Sequence, residues 1–292
     1  TRSEARKQLI LDLSRDEVCE AVIKMITDVL KSAPISYVKW DMNRNMTEIG
    51  STAWPAKKQK EIAHRYMLGL YKILENITSN FPNILFESCS GGGGRFDGGM
   101  LYYMPQTWTS DDTDAIERLM IQEGTSLVYP TSSMGSHVSA VPNHQVHRIT
   151  PLNTRGVVAM AGSFGYELDV TKMNEEEKEE VKKQVEFYKN IRSTVQFGDL
   201  YRLKSSFDSN EAAWMNLSKD GKEVVVSYVK KYAEANVIPR RLKVKALDEN
   251  SLYEVIETGE VFGGDELMYI GLEIGELMGD YQAKNWTLRK VD

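Results

Sequence analysis

The chain has 292 residues, 41% of them hydrophobic and 27% charged, with a net charge of −6 at pH 7. That length can bury one large core and a smaller one, and an acidic balance without clustered Lys and Arg excludes a nucleic-acid partner. No apolar run reaches the roughly 18 residues of a membrane span and no signal-peptide core is present; Cys19 and Cys89 make no disulfide framework, so a reducing, cytoplasmic compartment is expected.

In chain order, the apolar run 8–13, which contains Asp12, predicts a strand. Val18, Ala21, Val22, Met25, Ile26 and Val29 then form a stripe at helical spacing, with Ser14 placed as its N-cap. The run 35–40 predicts a strand closed by Asp41, and Ile62, Tyr66, Leu70, Ile73 and Ile77 make a second helical stripe. Further strands are predicted at 83–88, 104–109, 126–129 and 156–161. A third stripe, Val181, Val185 and Tyr188, lies in the charged stretch 174–191, whose acidic run is a solvated helix face. Strands joined by helical connections form a parallel sheet, and near-continuous apolar strands form one covered on both faces. Six such units take about 195 residues, against about 250 for the eight of a TIM barrel. The expected fold is therefore α/β: a TIM-like (β/α)8 barrel over residues 1–196, two units short, with the missing units ahead of residue 1. From Phe197 the texture changes to short alternating runs at 212–217, 223–229, 241–246, 252–256, 267–272 and 283–291, separated by turn signals. Residues 197–292 are expected to form a small antiparallel β-sandwich.

Barrel enzymes carry their catalytic residues at the C-terminal ends of strands, and here those ends are rich in carboxylates and poor in histidine. A carboxylate pair is what glycoside cleavage requires. Asp41 and Lys39 share a strand face while Trp40 points the other way, so Lys39 can donate to a ligand hydroxyl and favour an ionised Asp41. Taken alone, an Asp in this place more often caps the helix or loop beyond the strand. The same applies to Asp111 and Asp112: one of the acidic residues in 110–114 is expected to cap the helix that starts near Thr113. The run 89–97 places four glycines directly after a strand, where backbone approaches a ligand closely and exposes N–H donors. It lacks the Gly-Lys-Ser/Thr ending of a phosphate loop, and Asp97 stands where the last glycine of a dinucleotide fingerprint falls. Cys89 alone reads as a buried thiol. His137, His144 and His147 have unusual spacing for a metal site and read as loop-shaping or contact residues. No metal and no cofactor is expected.

Three blocks carry a family resemblance: Lys39-Trp40-Asp41-Met42-Asn43-Arg44, the segment 89–97, and Trp108-Thr109-Ser110-Asp111-Asp112-Thr113-Asp114. They resemble the signature blocks of glycoside hydrolase family 36, the α-galactosidases acting on raffinose- and melibiose-type sugars. The likeness extends to 6–12, 130–147 and 156–169. It implies a TIM-like barrel between an N-terminal β-supersandwich and a C-terminal β domain, and a retaining mechanism through a covalent galactosyl-enzyme. It assigns Asp41 as nucleophile and Asp111 as acid/base, and sugar contacts to Arg6, Lys39, Cys89 and Gly92, with Asn43 and Trp108 as further candidates. By analogy the strands ending at Asp41 and before Asp111 are the barrel's fourth and sixth, which makes 8–13 the third and 156–161 the eighth. The family's paired aspartates of the first barrel strand and its N-terminal tryptophans have no counterpart here. The expected partner is an α-galactoside oligosaccharide, and the chain either forms a homo-oligomer or needs an N-terminal part to complete it. Three alternatives stay open: an α-N-acetylgalactosaminidase, a galactosyl transferase of the same family, and an inactive carbohydrate-binding or assembly module.

Overall fold

The structure, a computed structural model, describes residues 4, 7–236 and 238–291, and these form two compact units, Thr1–Asp111 and Asp112–Asp292.

In the first unit, α1 (Asp16–Lys31), β1 (Tyr37–Asp41), α2 (Ile62–Asn80), β2 (Leu85–Cys89), α3 (Gly98–Tyr103) and β3 (Gln106–Trp108) succeed one another. The three strands are parallel neighbours in the order β1-β2-β3. Helix α2 buries all five residues of its predicted stripe, but of the stripe predicted for α1 only Val22 is buried and Val18 and Ile26 are partly so, while Ala21, Met25 and Val29 are exposed. The face α1 turns inward is Cys19, Val22 and Leu30, packed with Leu70, Ile73 and Ile77 of α2. The chain just before α1 presses on α2 at Gly69, where a Cβ would stand 1.9 Å from the Leu13 carbonyl oxygen and 3.1 Å from Cys19 Sγ of α1. Two further expectations fail in this unit. Residues 8–13 form no strand, and Leu9 and Leu11 are exposed. Nor does Ser14 cap α1: Arg15 holds the N-cap position without a side-chain bond. The Ser14 hydroxyl instead donates to the Asp12 carboxylate and accepts Trp54 Nε1–H at 3.0 Å, so Asp12 and Ser14 close a local turn.

The second unit opens with α4 (Ala115–Ser126), β4 (Met134–Ser139), α5 (Leu152–Ala159), β5 (Ser163–Glu167) and α6 (Glu175–Phe197), with β4 and β5 parallel. Here the predicted strands 126–129 and 156–161 are corrected. Residue 126 ends α4 and 127–129 turn away with Leu127 and Val128 exposed, while 156–159 lie inside α5. A short apolar run fits a buried helix as well as a buried strand, and α5 is buried from Thr154 to Ala159, so periodicity does not separate the two. The last parallel strand is thus Ser163–Glu167, where Ser163 and Gly165 interrupt the signal of Phe164 and Tyr166. The charged stretch is helical as expected, with Asn174 and Glu177 forming a capping box.

Beyond α6 lie β6 (Asp199–Lys204), β7 (Glu211–Leu217), β8 (Glu223–Lys230), β9 (Arg241–Leu242), β10 (Leu252–Val255), β11 (Glu260–Gly263), α7 (Gly264–Tyr269), β12 (Leu272–Glu273) and β13 (Gln282–Val291). Six of these strands make an antiparallel sheet in the order β11-β10-β13-β8-β7-β6. Strand β8 is covered on both faces: Val224, Val226 and Tyr228 enter one core with Trp286 and Leu288, while Val225 packs with Met160 and Ile191 and Val229 with Ile116 and Val158. The layer opposite the helices is not a second full sheet. It is the two-stranded ribbon β9–β12 together with α7, because 267–269 are helical rather than extended and only Arg241–Leu242 of 241–246 pairs. No helix among the described residues is long and apolar enough to cross a membrane.

One prediction arises at the start of α4. Asp114 is 2% exposed, accepts the Ile116 and Glu117 N–H groups at 3.0 and 3.1 Å, and forms an ion pair with Arg148. Asp114→Ala removes a cap and leaves a largely buried guanidinium with Glu117 as its remaining carboxylate, so a loss of about 3 kcal/mol is expected. Urea unfolding of the variant measures it; a loss under about 1 kcal/mol would show that Arg148 and the helix end find other partners.

Candidate active site

Strand β1 alternates as its sequence requires: Tyr37, Lys39 and Asp41 lie on the exposed face, and Val38 and Trp40 are turned toward the core of the first unit. In the parallel ladder Lys39 stands beside Glu87 and Asp41 beside Cys89, while Glu87 stands beside Gln106. Polar side chains are thereby stacked in two rows on one face of the three strands.

The upper row begins with Asp41, an exposed carboxylate at the last position of β1. The buried Cys89 thiol donates a hydrogen bond to it. Burial first, and this bond next, push the thiol up to about 11, so Cys89 acts at neutral pH as a donor and not as a thiolate nucleophile. The backbone N–H of Gly92 in turn reaches the Cys89 sulfur. Gly92 then continues onto the acid-bearing segment: it bridges Ser110, and the Gly93 N–H donates to the Thr109 carbonyl at 3.1 Å. Asp41 is therefore linked through Cys89 and one glycine turn to the backbone of Thr109 and Ser110, next to Asp111. Asp111 itself is half-buried.

The glycines serve this approach. Gly92 has φ +86, and a Cβ there would stand 2.6 Å from Ser110 Cα and 3.0 Å from the Asp111 nitrogen. The loop's N–H groups are used within the protein: Gly91 donates to Asn43 Oδ1 at 3.2 Å, Gly93 to Thr109 and Gly94 to the Ser90 carbonyl at 3.3 Å. The expectation that the run displays its donors to a ligand is corrected to this extent; what approaches closely is another strand end. Gly92→Ala combines a left-handed backbone with a backbone clash, so it is expected to lose about 2 kcal/mol or more of stability. Chemical denaturation tests this, and a variant as stable as the parent would mean the turn moves aside freely.

Asn43 thus braces the glycine loop. Two residues to which the sequence gave no role of their own join it: the Ser90 hydroxyl donates to the Met42 carbonyl at 2.9 Å, and the half-buried Arg95 donates to the Trp40 carbonyl at 2.8 Å. Burial pushes the Arg95 guanidinium down from its ordinary value, and the Asp41 charge acts against that fall. Arg95 stands within the glycine block, but nothing in a sequence says that it turns back under β1.

In the lower row Lys39 lies 3.6 Å from the Glu87 carboxylate, with its ammonium 4.6 Å from the Trp108 ring centre. Trp108 is 2% exposed, so it supports Lys39 from within the protein. Of the other sequence-derived candidates, Arg6 lies outside the described residues. In the second unit, Asp114 is the acidic residue that caps α4, and Asp112 Oδ1 accepts the Asp114 N–H at 3.0 Å. His137 sits on β4 with its ring 3.8 Å from Glu167, and His144 and His147 lie in the loop after that strand. Among the described residues no group of three or more His, Cys, Asp and Glu side chains is placed to hold a metal ion.

Comparison with known proteins gives a consistent picture. A family model described as Melibiase matches residues 1–198, and one described as the glycosyl hydrolase family 36 C-terminal domain matches residues 211–288. The α-galactosidase AgaA of Geobacillus stearothermophilus is 61% identical over 290 residues, 99% of this chain and 40% of its own length. The α-galactosidase Mel36A of Lactobacillus acidophilus is 51% identical over 288 residues, 99% of this chain and 39% of its own length. The crystal structure of AgaA in complex with raffinose matches with a TM-score of 0.97 and 60% identity, covering 100% of this chain and 40% of that one. The chain thus spans about two fifths of the length of these relatives.

Proposed function

The chain belongs to glycoside hydrolase family 36, and from that premise we propose that it carries the catalytic carboxylates of a retaining α-galactosidase acting on raffinose- and melibiose-type sugars. The observation that carries the proposal is the link from Asp41 through Cys89 and Gly92 to Ser110, the residue before Asp111, which brings two strand-end carboxylates to one glycine turn. A retaining glycosidase needs such a pair, with the carboxyl groups about 5–5.5 Å apart. The relative AgaA supports the assignment. Its raffinose and stachyose complexes each carry a different aspartate substitution, and those two positions are separated by the same interval as Asp41 and Asp111.

In the proposed reaction, Asp41 attacks the anomeric carbon of an α-galactoside while protonated Asp111 gives its proton to the glycosidic oxygen, which leaves as the alcohol of the aglycone. Asp111, now a carboxylate, takes a proton from water, and the resulting oxygen displaces Asp41 to release galactose with the α configuration. The Cys89 thiol, held protonated, donates to the Asp41 carboxylate and fixes its orientation. Lys39 donates to a galactose hydroxyl, and the glycine turn with Asn43 and Ser90 keeps the two strand ends in register. The chain contributes part of a (β/α)8 barrel over residues 1–196, with residues 197–292 as a β domain packed on its last helices, and works within the longer protein that its relatives represent. The relatives' length supports this division of labour.

The test is the stereochemistry of the first product. The intact protein that contains this chain should cleave p-nitrophenyl α-galactoside, and proton NMR in the first minutes should show α-galactose, which later mutarotates. Initial β-galactose would mean inversion and remove the double displacement. Binding of galactosides without any turnover would favour a carbohydrate-binding module instead.

A further inference from the structure

We infer that Glu87, a residue with no part in the proton transfers above, is a positioning residue for sugar binding that holds the Lys39 ammonium where a substrate hydroxyl meets it. This rests on the proposed role of Lys39 as a sugar contact and deepens it. Glu87 is 1% exposed and lies in the lower row between Lys39 and Gln106. A carboxylate so deeply buried is costly unless its oxygens are satisfied, and here the two are treated differently. Oε2 accepts the Gln106 amide at 2.6 Å and the Tyr37 hydroxyl as well. Oε1, equally buried, accepts no hydrogen bond and stands 3.6 Å from Lys39 Nζ.

Two neutral donors on one oxygen stop the carboxylate from turning, and the other oxygen directs its charge at Lys39. The Trp108 ring bounds the ammonium at 4.6 Å, so a side chain that is otherwise a flexible four-carbon stem is held between an anion and an aromatic face. About a third of the Lys39 side chain stays accessible. An ammonium has three protons, and with one side bounded by Glu87 and another by Trp108 it keeps donors for a substrate hydroxyl. The charged and titratable groups in these rows are Asp41 and Tyr37 from β1 and Glu87 and Cys89 from β2. Among them Glu87 is the one placed to orient Lys39 without competing for the anomeric carbon.

A double-mutant cycle in the intact protein tests this, reading galactose affinity by tryptophan fluorescence and KM and kcat with p-nitrophenyl α-galactoside. Glu87→Gln keeps the shape and removes the charge. It is expected to raise KM and the galactose Kd about tenfold with kcat changed less than about threefold. In a Lys39→Met background the same substitution should change Kd by less than about twofold, because the group it positions is gone. An equal loss in both backgrounds, or none in either, overturns the inference. If Glu87→Gln does not accumulate as folded protein, Tyr37→Phe replaces it, since Tyr37 is 44% exposed and the change removes only a donor to Oε2. Its expected effect is about threefold in Kd, again only with Lys39 present, and an effect independent of Lys39 overturns the inference equally. Galactose binding by a protein that hydrolyses nothing would instead strike the catalytic proposal alone, because the cycle reads affinity.

Discussion

Asp41→Ala is expected to lower turnover of p-nitrophenyl α-galactoside by about 10⁴-fold or more, since removing a covalent nucleophile abolishes the two-step route. The substitution is small in structural terms: Asp41 is an exposed side chain at the end of β1, and its donor, the Cys89 thiol, keeps the Gly92 N–H. The fold should therefore survive, and an unchanged thermal midpoint would separate lost chemistry from lost structure. Azide, which needs no general base, should enter the space the carboxylate leaves and attack the anomeric carbon directly. The product would be β-galactosyl azide, formed by a single inversion. Activity that persists in the variant, or rescue that yields the α-azide, would reassign the nucleophile.

Asp111→Ala should behave differently, and the contrast is informative. A general acid contributes about 10²–10⁴-fold, but only in proportion to how much help the leaving group needs. Raffinose, whose leaving sugar is a poor one, is expected to lose about 10³-fold or more, whereas p-nitrophenyl α-galactoside should lose far less in its first step. The galactosyl-enzyme then accumulates because no base activates water, and azide releases it as α-galactosyl azide. Steady-state kinetics with the two substrates checks this. Equal losses on both would mean that Asp111 acts through structure, for instance by holding the Ser110–Gly92 bridge.

The part of this site that obeys period-two alternation was legible in the sequence. Lys39 and Asp41 had to share a face opposite Trp40, and they do. The helical stripe of α2 was legible for the same kind of reason, whereas that of α1 was placed off its true face, which is Cys19, Val22 and Leu30. The glycine run announced a close approach, yet a glycine records only that a Cβ is excluded, not what excludes it; here it is Ser110 and the Asp111 nitrogen. The acidic cluster at 111–114 was ambiguous because capping a helix and donating a proton need the same residue type, and only the hydrogen bonds of Asp114 assign the cap. Glu87 opens the polar segment that closes its apolar run and so draws the eye in the sequence, but nothing there gives it a role, since its partners Lys39, Tyr37 and Gln106 come from neighbouring strands. The misread segments failed on composition. Residues 156–159 are apolar enough for either a strand or a buried helix, β4 carries Gly, Ser and His where a strand signal needs branched or aromatic residues, and β5 has its two aromatics separated by a glycine.

The most direct measurement is to trap the intermediate. The intact protein would be incubated with a fluorinated α-galactosyl fluoride that forms the galactosyl-enzyme faster than water removes it, then digested and sequenced by mass spectrometry. The account predicts one added fluorogalactosyl group, on the peptide that contains Lys39-Trp40-Asp41 and on Asp41 itself. A label on any other residue, or none in a protein that turns over with inversion, would contradict it.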